Sequence, residues 1–309
     1  MNHFISNKFI PPLIASIIFY NIGLRWTVLA QDLPFLFGDS VGDFSTSNND
    51  DGASIRFGLS KPVKFLGEEY DHFYQNTNGV ITFTTTEEEF QALDSFPNSI
   101  VPPMVAVYWT DIDTRMGGIE KNQLWARNFT TETVGANDLL IARSLVKNHQ
   151  ESSEVVFEPT ATIVVTYNRV NRWDRDESVE NTFQMALAYN SEETWIILAY
   201  SKLEFYDASS SANRTLIGYN GMDLTGKLIR YLEAEDDMTN LVESSNCGTP
   251  GVYVFQTDKK KIEMNESPLN FIAGLSENRP QVMTSIIGIM LNTFAFFYNL
   301  IDGIIGERG

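Results

Sequence analysis

The stretch Asn78-Gly79-Val80-Ile81-Thr82-Phe83-Thr84 places a turn signal directly in front of a β-type run. Asparagine and glycine both accept positive φ angles, so the pair is typical of a tight turn that leads into a strand. Valine, isoleucine, threonine and phenylalanine favour extended structure, because branched and aromatic side chains suit a pleated surface. The stretch therefore predicts a turn followed by a strand from Val80 to Thr84.

Similar short runs, bounded by Asn, Asp, Gly and Pro, lie along the rest of the chain. They are Met104–Trp109, Leu139–Val146, Ala161–Tyr167, Thr182–Ala188, Thr194–Tyr200 and Gly251–Phe255. Residues 190–193, between two of these runs, predict a hairpin. No long stretch between the two ends of the chain shows clear helical periodicity. The pattern predicts a mainly β fold, an antiparallel sandwich or a related layered architecture.

Composition excludes some classes of function. The chain has 309 residues, 43% of them hydrophobic, and a formal net charge of −18. Such a surface repels phosphate backbones, so no nucleic-acid partner is expected. Its acidic clusters predict a solvated face, with Ca²⁺ binding as the alternative. The single cysteine, Cys247, excludes an internal disulfide and a CxxC-type zinc site. We expect its thiol to be buried, with a cross-link to a second chain as the alternative.

The first thirty residues predict a signal peptide, 1–30. Lys8 gives a basic start, Ile10–Leu24 form an uncharged apolar stretch, and Val28-Leu29-Ala30 supplies small residues before a cleavage point. An uncleaved anchor is the alternative. Either interpretation predicts export and an extracellular location.

The C-terminal part predicts a tether. Residues 259–281 are polar and contain two prolines, which is typical of a linker or stalk. Val282–Ile301 is uncharged and about as long as a bilayer crossing requires, so the apolar segment 282–305 is a candidate membrane span. A lipid-anchor signal and an ordinary core helix are the alternatives.

Three Asn-x-Ser/Thr sequons fit an exported protein. The predicted N-glycosylation sites are Asn128, Asn213 and Asn265.

Several motif blocks occur in a fixed order along the body. They are Phe65-Leu66-Gly67, Tyr74–Phe83 with its Asn78-Gly79 pair, Val105–Arg115, Val164–Val170, Asn181-Thr182-Phe183-Gln184, Gly218-Tyr219-Asn220 and Ser245–Phe255. With these blocks, the run from Leu33 to Asp258 resembles the NIDO domain family, the nidogen-type extracellular domain found in nidogen, tectorin and some mucins.

The resemblance implies one NIDO-like domain at 33–258. It also implies an extracellular, non-catalytic role in cell–matrix adhesion, with a matrix protein, a cell-surface protein or a glycan as partner. It implies no active site and no cofactor, and the residues themselves lead us to predict no metal site. The cysteine-rich modules of larger members are absent from this sequence, so their known partners are not carried over.

Asp111 and Asp113 are the acidic pair within one of these blocks. On a strand both carboxylates would share one face, with Arg115 on the same side. We expect an ion-pair or hydrogen-bond network, with a divalent metal site as the alternative. Structural roles are also predicted for Trp109 and Phe183 in the core and for Asn181–Gln184 on strand or turn backbone.

One enzyme class is the alternative function. Phe37-Gly38-Asp39-Ser40 resembles the nucleophile block of GDSL-type esterases, and Gly135-Ala136-Asn137-Asp138 resembles their oxyanion-hole block. Such an enzyme needs Ser40 as nucleophile and a base to accept its proton. Neither His72 nor His149 lies in the DxxH element that supplies this base in that family. The expectation therefore remains a protein that is not an enzyme.

Overall fold

The computed structural model describes residues 33–90, 93, 95–116, 118, 120–130, 137–150, 156–208 and 214–259. The predicted signal peptide 1–30 and the predicted apolar segment 282–305 lie outside the described residues. So does the predicted linker, apart from its first residue, Lys259.

The described residues form twelve strands and two α-helices. The strands are β1 (Phe44–Thr46), β2 (Phe57–Phe65), β3 (Glu68–Asn76), β4 (Val80–Thr82), β5 (Met104–Trp109), β6 (Gln123–Thr130), β7 (Ala161–Val170), β8 (Asn181–Tyr189), β9 (Thr194–Lys202), β10 (Leu216–Asn220), β11 (Gly226–Tyr231) and β12 (Val252–Gln256). The helices are α1 (Asn137–His149) and α2 (Glu235–Glu243).

The strands build two six-stranded antiparallel sheets. The first has the spatial order β1-β6-β7-β8-β9-β12, and the second has the order β11-β10-β5-β4-β3-β2. Both sheets contribute to one central hydrophobic cluster, so they pack face to face. The predicted antiparallel β sandwich is confirmed.

Side chains alternate between the central cluster and the outer faces. On β8, Phe183 and Met185 point into the central cluster, whereas Ala186 and Ala188 belong to a second cluster on the outer face of the first sheet. A third cluster, which includes Trp109, covers the outer face of the second sheet. Both outer faces are covered over the central strands, so β5 and β8 are buried on both sides and do not alternate cleanly between polar and apolar residues.

The turn at Asn78-Gly79 joins β3 to β4, as predicted. Gly79 has a φ of +82°, and a Cβ atom there would lie 2.1 Å from the carbonyl oxygen of Tyr108. Its own carbonyl accepts hydrogen bonds from the backbone N–H groups of both Val107 and Tyr108. Two donors on one acceptor mark an irregularity in β5 that turns Tyr108 inward and Trp109 outward.

The strand predicted at Leu139–Val146 is wrong, because these residues belong to helix α1. Leu139, Ala142, Leu145 and Val146 are buried at spacings of three and four residues, which is the period of one helix face. The expectation of no helix within the body is wrong for the same reason. A short apolar run such as Leu139–Ala142 does not distinguish a strand from a buried helical turn.

Helix α1 packs on the outer face of the first sheet together with the N-terminal segment. Phe35 is 1% exposed in this cluster. Its backbone N–H donates to Gln184 Oε1 (3.1 Å), and its carbonyl accepts from Gln184 Nε2 (3.0 Å). A buried glutamine therefore holds the chain before β1 in the manner of a strand partner.

The other predicted strands match observed strands, and Met104–Trp109 coincides with β5 residue for residue. The hairpin at 190–193 joins β8 to β9, and Asn190 Oδ1 accepts the backbone N–H groups of Glu192 and Glu193. Cys247 is buried, as expected, with Sγ 3.5 Å from the Val252 carbonyl oxygen. The sequence did not predict β1, β2, β3, β6, β10, β11 and α2.

Candidate binding face

Three loops meet at one end of the sandwich. We call this surface the loop face, and it consists of residues 110–116, 171–180 and 203–208. Strands β5, β7 and β9 all end here. In the first sheet, the last residues of β7 and β9 pair with the first residues of β8. In the second sheet, Trp109 at the end of β5 pairs with Leu216 at the start of β10.

Backbone contacts fix the first two loops to each other. Ile112 forms a β-bridge with Arg172, and the N–H of Trp173 donates to the carbonyl of Asp111 (3.2 Å). The side chain of Ile112 is fully buried in the central cluster. Trp173 therefore projects from a backbone that is anchored on both sides.

Asn181 fixes the third loop. Its Oδ1 accepts the backbone N–H groups of Glu204 (2.8 Å) and Phe205 (3.2 Å), and its Nδ2 donates to the Phe205 carbonyl (2.9 Å). The hydroxyl of Tyr108 donates to the same carbonyl (2.8 Å). The prediction that the Asn181 block satisfies backbone groups is confirmed here.

Asp113 is the centre of the charge network on the loop face. Its buried carboxylate accepts Nε and Nη2 of Arg115 and Nε of Arg175 (2.6 Å). Arg115 also pairs with Asp50. Burial raises the pKa of Asp113, but the hydrogen bonds from the two arginines outweigh it and lower the pKa to about 2. The predicted ion-pair network is thus what Asp113 forms, and it includes Arg115 as expected.

Asp111 lies in a different environment from Asp113. In the described part of the chain, no side chain donates a hydrogen bond to its carboxylate, which is half-buried at the base of the loop face. Burial, and then the neighbouring carboxylates, raise the pKa of Asp111 to about 6. In descending order of effect, these neighbours are Asp51, Asp50, Asp207 and Asp113. Within the described residues no group of three or more His, Cys, Asp or Glu side chains is arranged to hold a metal ion.

An open cleft of about 400 Å³ lies beside Asp111. Its walls are Thr110, Asp111, Arg172, Trp173, Phe205, Tyr206, Asp207 and Ala208. Trp173 is 55% exposed, which is unusual for so large an apolar side chain. Charged groups, an aromatic surface and a concave shape together have the character of a binding site.

Sequence reasoning missed Trp173 and its neighbours. The signal was present in Asn171-Arg172-Trp173-Asp174-Arg175, where a tryptophan stands within a charged loop between two β-type runs. Exposed aromatics on loops between rigid strands are typical of recognition surfaces.

The residues of the esterase alternative do not meet in the structure. Ser40 is exposed on a short 3₁₀ turn, Asp39–Val41. The ring of His72 contacts Asp71 and Arg56, and the ring of His149 contacts the Asn246 carbonyl (3.0 Å). Neither of the two described histidines serves Ser40 as a base, so the alternative has no geometric support.

Asp43, three residues after the first esterase-like block, and Asp138 of the second do meet at Arg127, but for a structural reason. Nη1 of Arg127 pairs with Asp43 (2.6 Å), and its Nε pairs with Asp138 at the start of α1 (2.9 Å). All three side chains are buried. The pKa of Asp43 is raised, because the effect of burial outweighs the hydrogen bond and the charge of Arg127, which lower it. We call Asp43, Arg127 and Asp138 the buried triad. It joins the N-terminal segment, residues 33–43, to β6 and α1.

Of the predicted glycosylation sites, Asn128 alone lies within the described residues. It is half-buried on β6, and its Nδ2 donates to the Gly58 carbonyl (3.0 Å). Asn213 and Asn265 lie outside the described residues.

Comparison with known families decides which class of domain this is. The model of the nidogen-like domain (NIDO) matches residues 71–259, more than half of the chain. The chain belongs to the nidogen-like domain family.

Curated relatives of this nidogen-like domain are nidogens and tectorins. Alpha-tectorin of Mus musculus is 26% identical over 246 residues, which cover 76% of this chain and 11% of the tectorin. Nidogen of Drosophila melanogaster is 28% identical over 240 residues, covering 75% of this chain and 17% of the nidogen. Nidogen-2 of Mus musculus is 28% identical over 252 residues, with the same two coverages, 75% and 17%.

These relatives are extracellular matrix proteins, which supports an extracellular location for this member of the family. The chain spans less than a fifth of the length of each of the three relatives. No solved structure matches it significantly. Among the helices that the structure describes, none has both the length and the apolarity that a membrane crossing requires.

The family match begins at Asp71, within β3. Strands β1 and β2 therefore precede the match. Each nevertheless pairs with a strand inside it, β1 with β6 and β2 with β3, of which the match includes the part from Asp71 onward. The loop face lies wholly within the match, whereas the neighbouring Asp50 and Asp51 precede it.

Proposed function

We propose that this nidogen-like domain is a non-catalytic adhesion module that binds an extracellular matrix or cell-surface partner through its loop face. The observation that carries the proposal is Trp173, more than half exposed beside a cleft on an anchored loop. Membership of a family whose curated relatives are matrix proteins supports the extracellular setting.

The remaining parts of the proposal concern export and attachment. The signal peptide 1–30 directs the chain out of the cell, and the apolar segment 282–305 holds it at the cell surface behind a stalk, 259–281. N-linked glycans are attached at Asn128, Asn213 and Asn265.

A cell experiment tests export and attachment. The tagged full chain is expressed in eukaryotic cells, and intact cells are stained before and after treatment with a phosphatidylinositol-specific phospholipase. We expect surface staining and a band that shifts when N-glycans are removed. Release by the phospholipase would assign a lipid anchor in place of a membrane span. A cytosolic, unglycosylated protein would overturn the proposal.

A second experiment tests the binding face itself. Cells that display the chain are allowed to adhere to matrix-coated surfaces, and Trp173→Ala is compared with Leu140→Ala. Leu140 is 58% exposed, close to the exposure of Trp173, but it lies on α1, away from the loop face. We expect the Trp173 variant to lose at least about tenfold in adhesion, as loss of an exposed aromatic anchor does, and the Leu140 variant to keep it. Equal adhesion by both variants would place binding elsewhere.

A further inference from the structure

The cleft on the loop face contains a carboxylate, that of Asp111, to which none of the described side chains donates a hydrogen bond. Arg172, which forms one wall, is held by both carboxylate oxygens of Asp174. Asp113 is neutralised by two arginines. Asp111, by contrast, faces the cleft without a hydrogen-bonded cation among the described residues.

The surroundings of Asp111 keep the cleft negative. Asp50 and Asp51 act on Asp111 from the adjoining loop, and Asp207 acts from the opposite wall. Although burial and then these charges raise the pKa of Asp111, a value of about 6 leaves most of the carboxylate ionised at neutral pH. A net charge of −18 on the chain extends the negative field beyond the cleft.

An aromatic wall lies beside this carboxylate. Trp173 presents its indole on one side, and Tyr206 and Phe205 form part of the rest of the lining. A cation over an indole ring is attracted by the ring quadrupole, and tryptophan is the strongest partner among the aromatic side chains. The backbone N–H of Trp173 donates to the Asp111 carbonyl, and the two residues line the same cleft.

The combination selects for one kind of ligand. An anion would meet the ionised Asp111, and a divalent metal would lack a sufficient ligand set among the described residues. A guanidinium or ammonium group on an aliphatic stem satisfies both walls at once, the charge at the carboxylate and the stem along the indole.

We propose that the cleft binds a lysine or arginine side chain presented by the extracellular partner protein. The inference rests on the proposed adhesion function and specifies the chemistry of its partner. The basic side chain enters between Trp173 and Asp111, and the negative field around the cleft steers basic segments toward it.

A peptide titration of the full-length chain, purified from expressing cells in detergent, tests this directly. The probes are acetyl-Gly-Arg-Gly-amide and the same peptide with citrulline, which keeps the shape of arginine but carries no charge. The signal is the tryptophan fluorescence that Trp173→Phe removes. We expect the arginine peptide to bind in a saturable, salt-sensitive manner and at least about tenfold more tightly than the citrulline peptide.

Two variants that remove the same charge provide the control. Asp111→Asn should weaken binding of the arginine peptide roughly tenfold, whereas Glu192→Gln should leave it within about twofold. Glu192 is exposed in the β8–β9 hairpin at the opposite end of the sandwich. Equal binding of the citrulline peptide, or equal effects of the two variants, would overturn the proposal. So would a neutral chitin trisaccharide that changes the Trp173 signal when the arginine peptide does not, because the cleft would then be a glycan site.

The outcome is separable from that of the proposed function. Adhesion that depends on Trp173, together with no selective arginine binding, would overturn this inference alone. Selective arginine binding by a chain that supports no adhesion would confirm the ligand chemistry and overturn the adhesion function.

Discussion

At the scale of single residues, Asp113 holds two of the three loops of the loop face together. It lies on residues 110–116 and pairs with Arg175 of residues 171–180 as well as with Arg115. We expect Asp113→Asn to lower the free energy of unfolding at pH 7 by about 2–3 kcal/mol. The loss falls below the usual range for a buried pair because both arginines are 45% exposed and regain water.

Urea unfolding measures this effect, with Asp71→Asn as the control. Asp71 also pairs with an arginine, Arg56, but its side chain is 65% exposed, so solvent screens the pair and its loss should change stability far less than the loss of Asp113. The lowered pKa of Asp113 gives a second readout. Its stabilising contribution is complete above the ordinary value of 3.8 and is lost as the pH falls toward about 2. Equal stabilities of the two variants would contradict this role for Asp113.

Asp111 is predicted to have the opposite pH dependence. Its pKa in the folded protein, about 6, exceeds the ordinary value of 3.8, so the folded state binds the proton more tightly than the unfolded state. The ionised carboxylate therefore lowers the free energy of unfolding. This destabilising effect is complete above about pH 6 and absent below about pH 4. Asp111→Asn should raise the free energy of unfolding at pH 7.5 by about 1–2 kcal/mol, after allowance for solvent screening, and leave it unchanged at pH 3.5. Thermal unfolding at the two pH values measures the difference, and an equal gain at both would exclude the titration of Asp111 as its cause.

The spacing of Asp111 and Asp113 predicted only part of this behaviour. It placed Arg115 near an acidic partner, and the pair is present. Strand β5 ends at Trp109, however, so the alternation rule does not extend to these residues and the two carboxylates have different environments. Arg175, sixty-two positions away from Asp113 in sequence, was beyond any local rule.

At the scale of elements, a strand could be predicted from the sequence when its residues are mostly apolar, and was missed when it contains charged residues. Strand β5 is apolar throughout and was predicted to the residue. Strand β3 contains charged Glu68, Glu69 and Asp71 on its exposed positions, and β6 contains the buried Arg127, so neither has the composition of a typical strand. Their extended structure depends on pairing with distant strands, which overrides weak local preference.

The hairpin between β3 and β4 provides a test at this scale. Gly79→Ala should lower the free energy of unfolding by more than about 3 kcal/mol, because the residue has positive φ and the new Cβ would collide with the Tyr108 carbonyl. Gly58→Ala on β2 is the matched control. A Cβ atom there meets nothing within 4 Å, so stability should stay within about 1 kcal/mol of the wild type. Guanidinium unfolding compares the two, and similar midpoints would show that the turn tolerates a side chain.

At the scale of the whole molecule, buried amide side chains form hydrogen bonds between the two sheets and between the first sheet and the segment at Phe35. Gln75 of β3, in the second sheet, accepts the hydroxyl of Thr46 (2.8 Å) and donates to the carbonyls of Trp125 (3.4 Å) and Thr166 (3.3 Å) in the first sheet. Gln184 does the same for the segment at Phe35. A sequence shows such residues only as polar positions within apolar runs, because their partners are fixed by the assembled fold.

These links bear on the size of the folding unit. The family match starts at Asp71, yet the residues before it bury Phe35, place Asp43 on Arg127 and supply β1 and β2 at the sheet edges. Without them, Arg127 would retain only Asp138, and the hydrogen-bonding edges of β3 and β6 would be unpaired.

We therefore expect a fragment of residues 33–259 to unfold in one cooperative thermal transition, and a fragment of residues 71–259 to lack one. Near-ultraviolet circular dichroism follows the transition, since aromatic side chains fill the central cluster. Arg127→Leu in the longer fragment separates the two causes. If it removes most of the stability, the buried triad is the main contribution of the N-terminal segment, because two buried carboxylates are left without their cation. If it does not, β1, β2 and Phe35 act chiefly through the apolar area they cover. A cooperative transition of the shorter fragment within a few degrees of the longer one would show that the domain begins at β3 and that the preceding strands are dispensable.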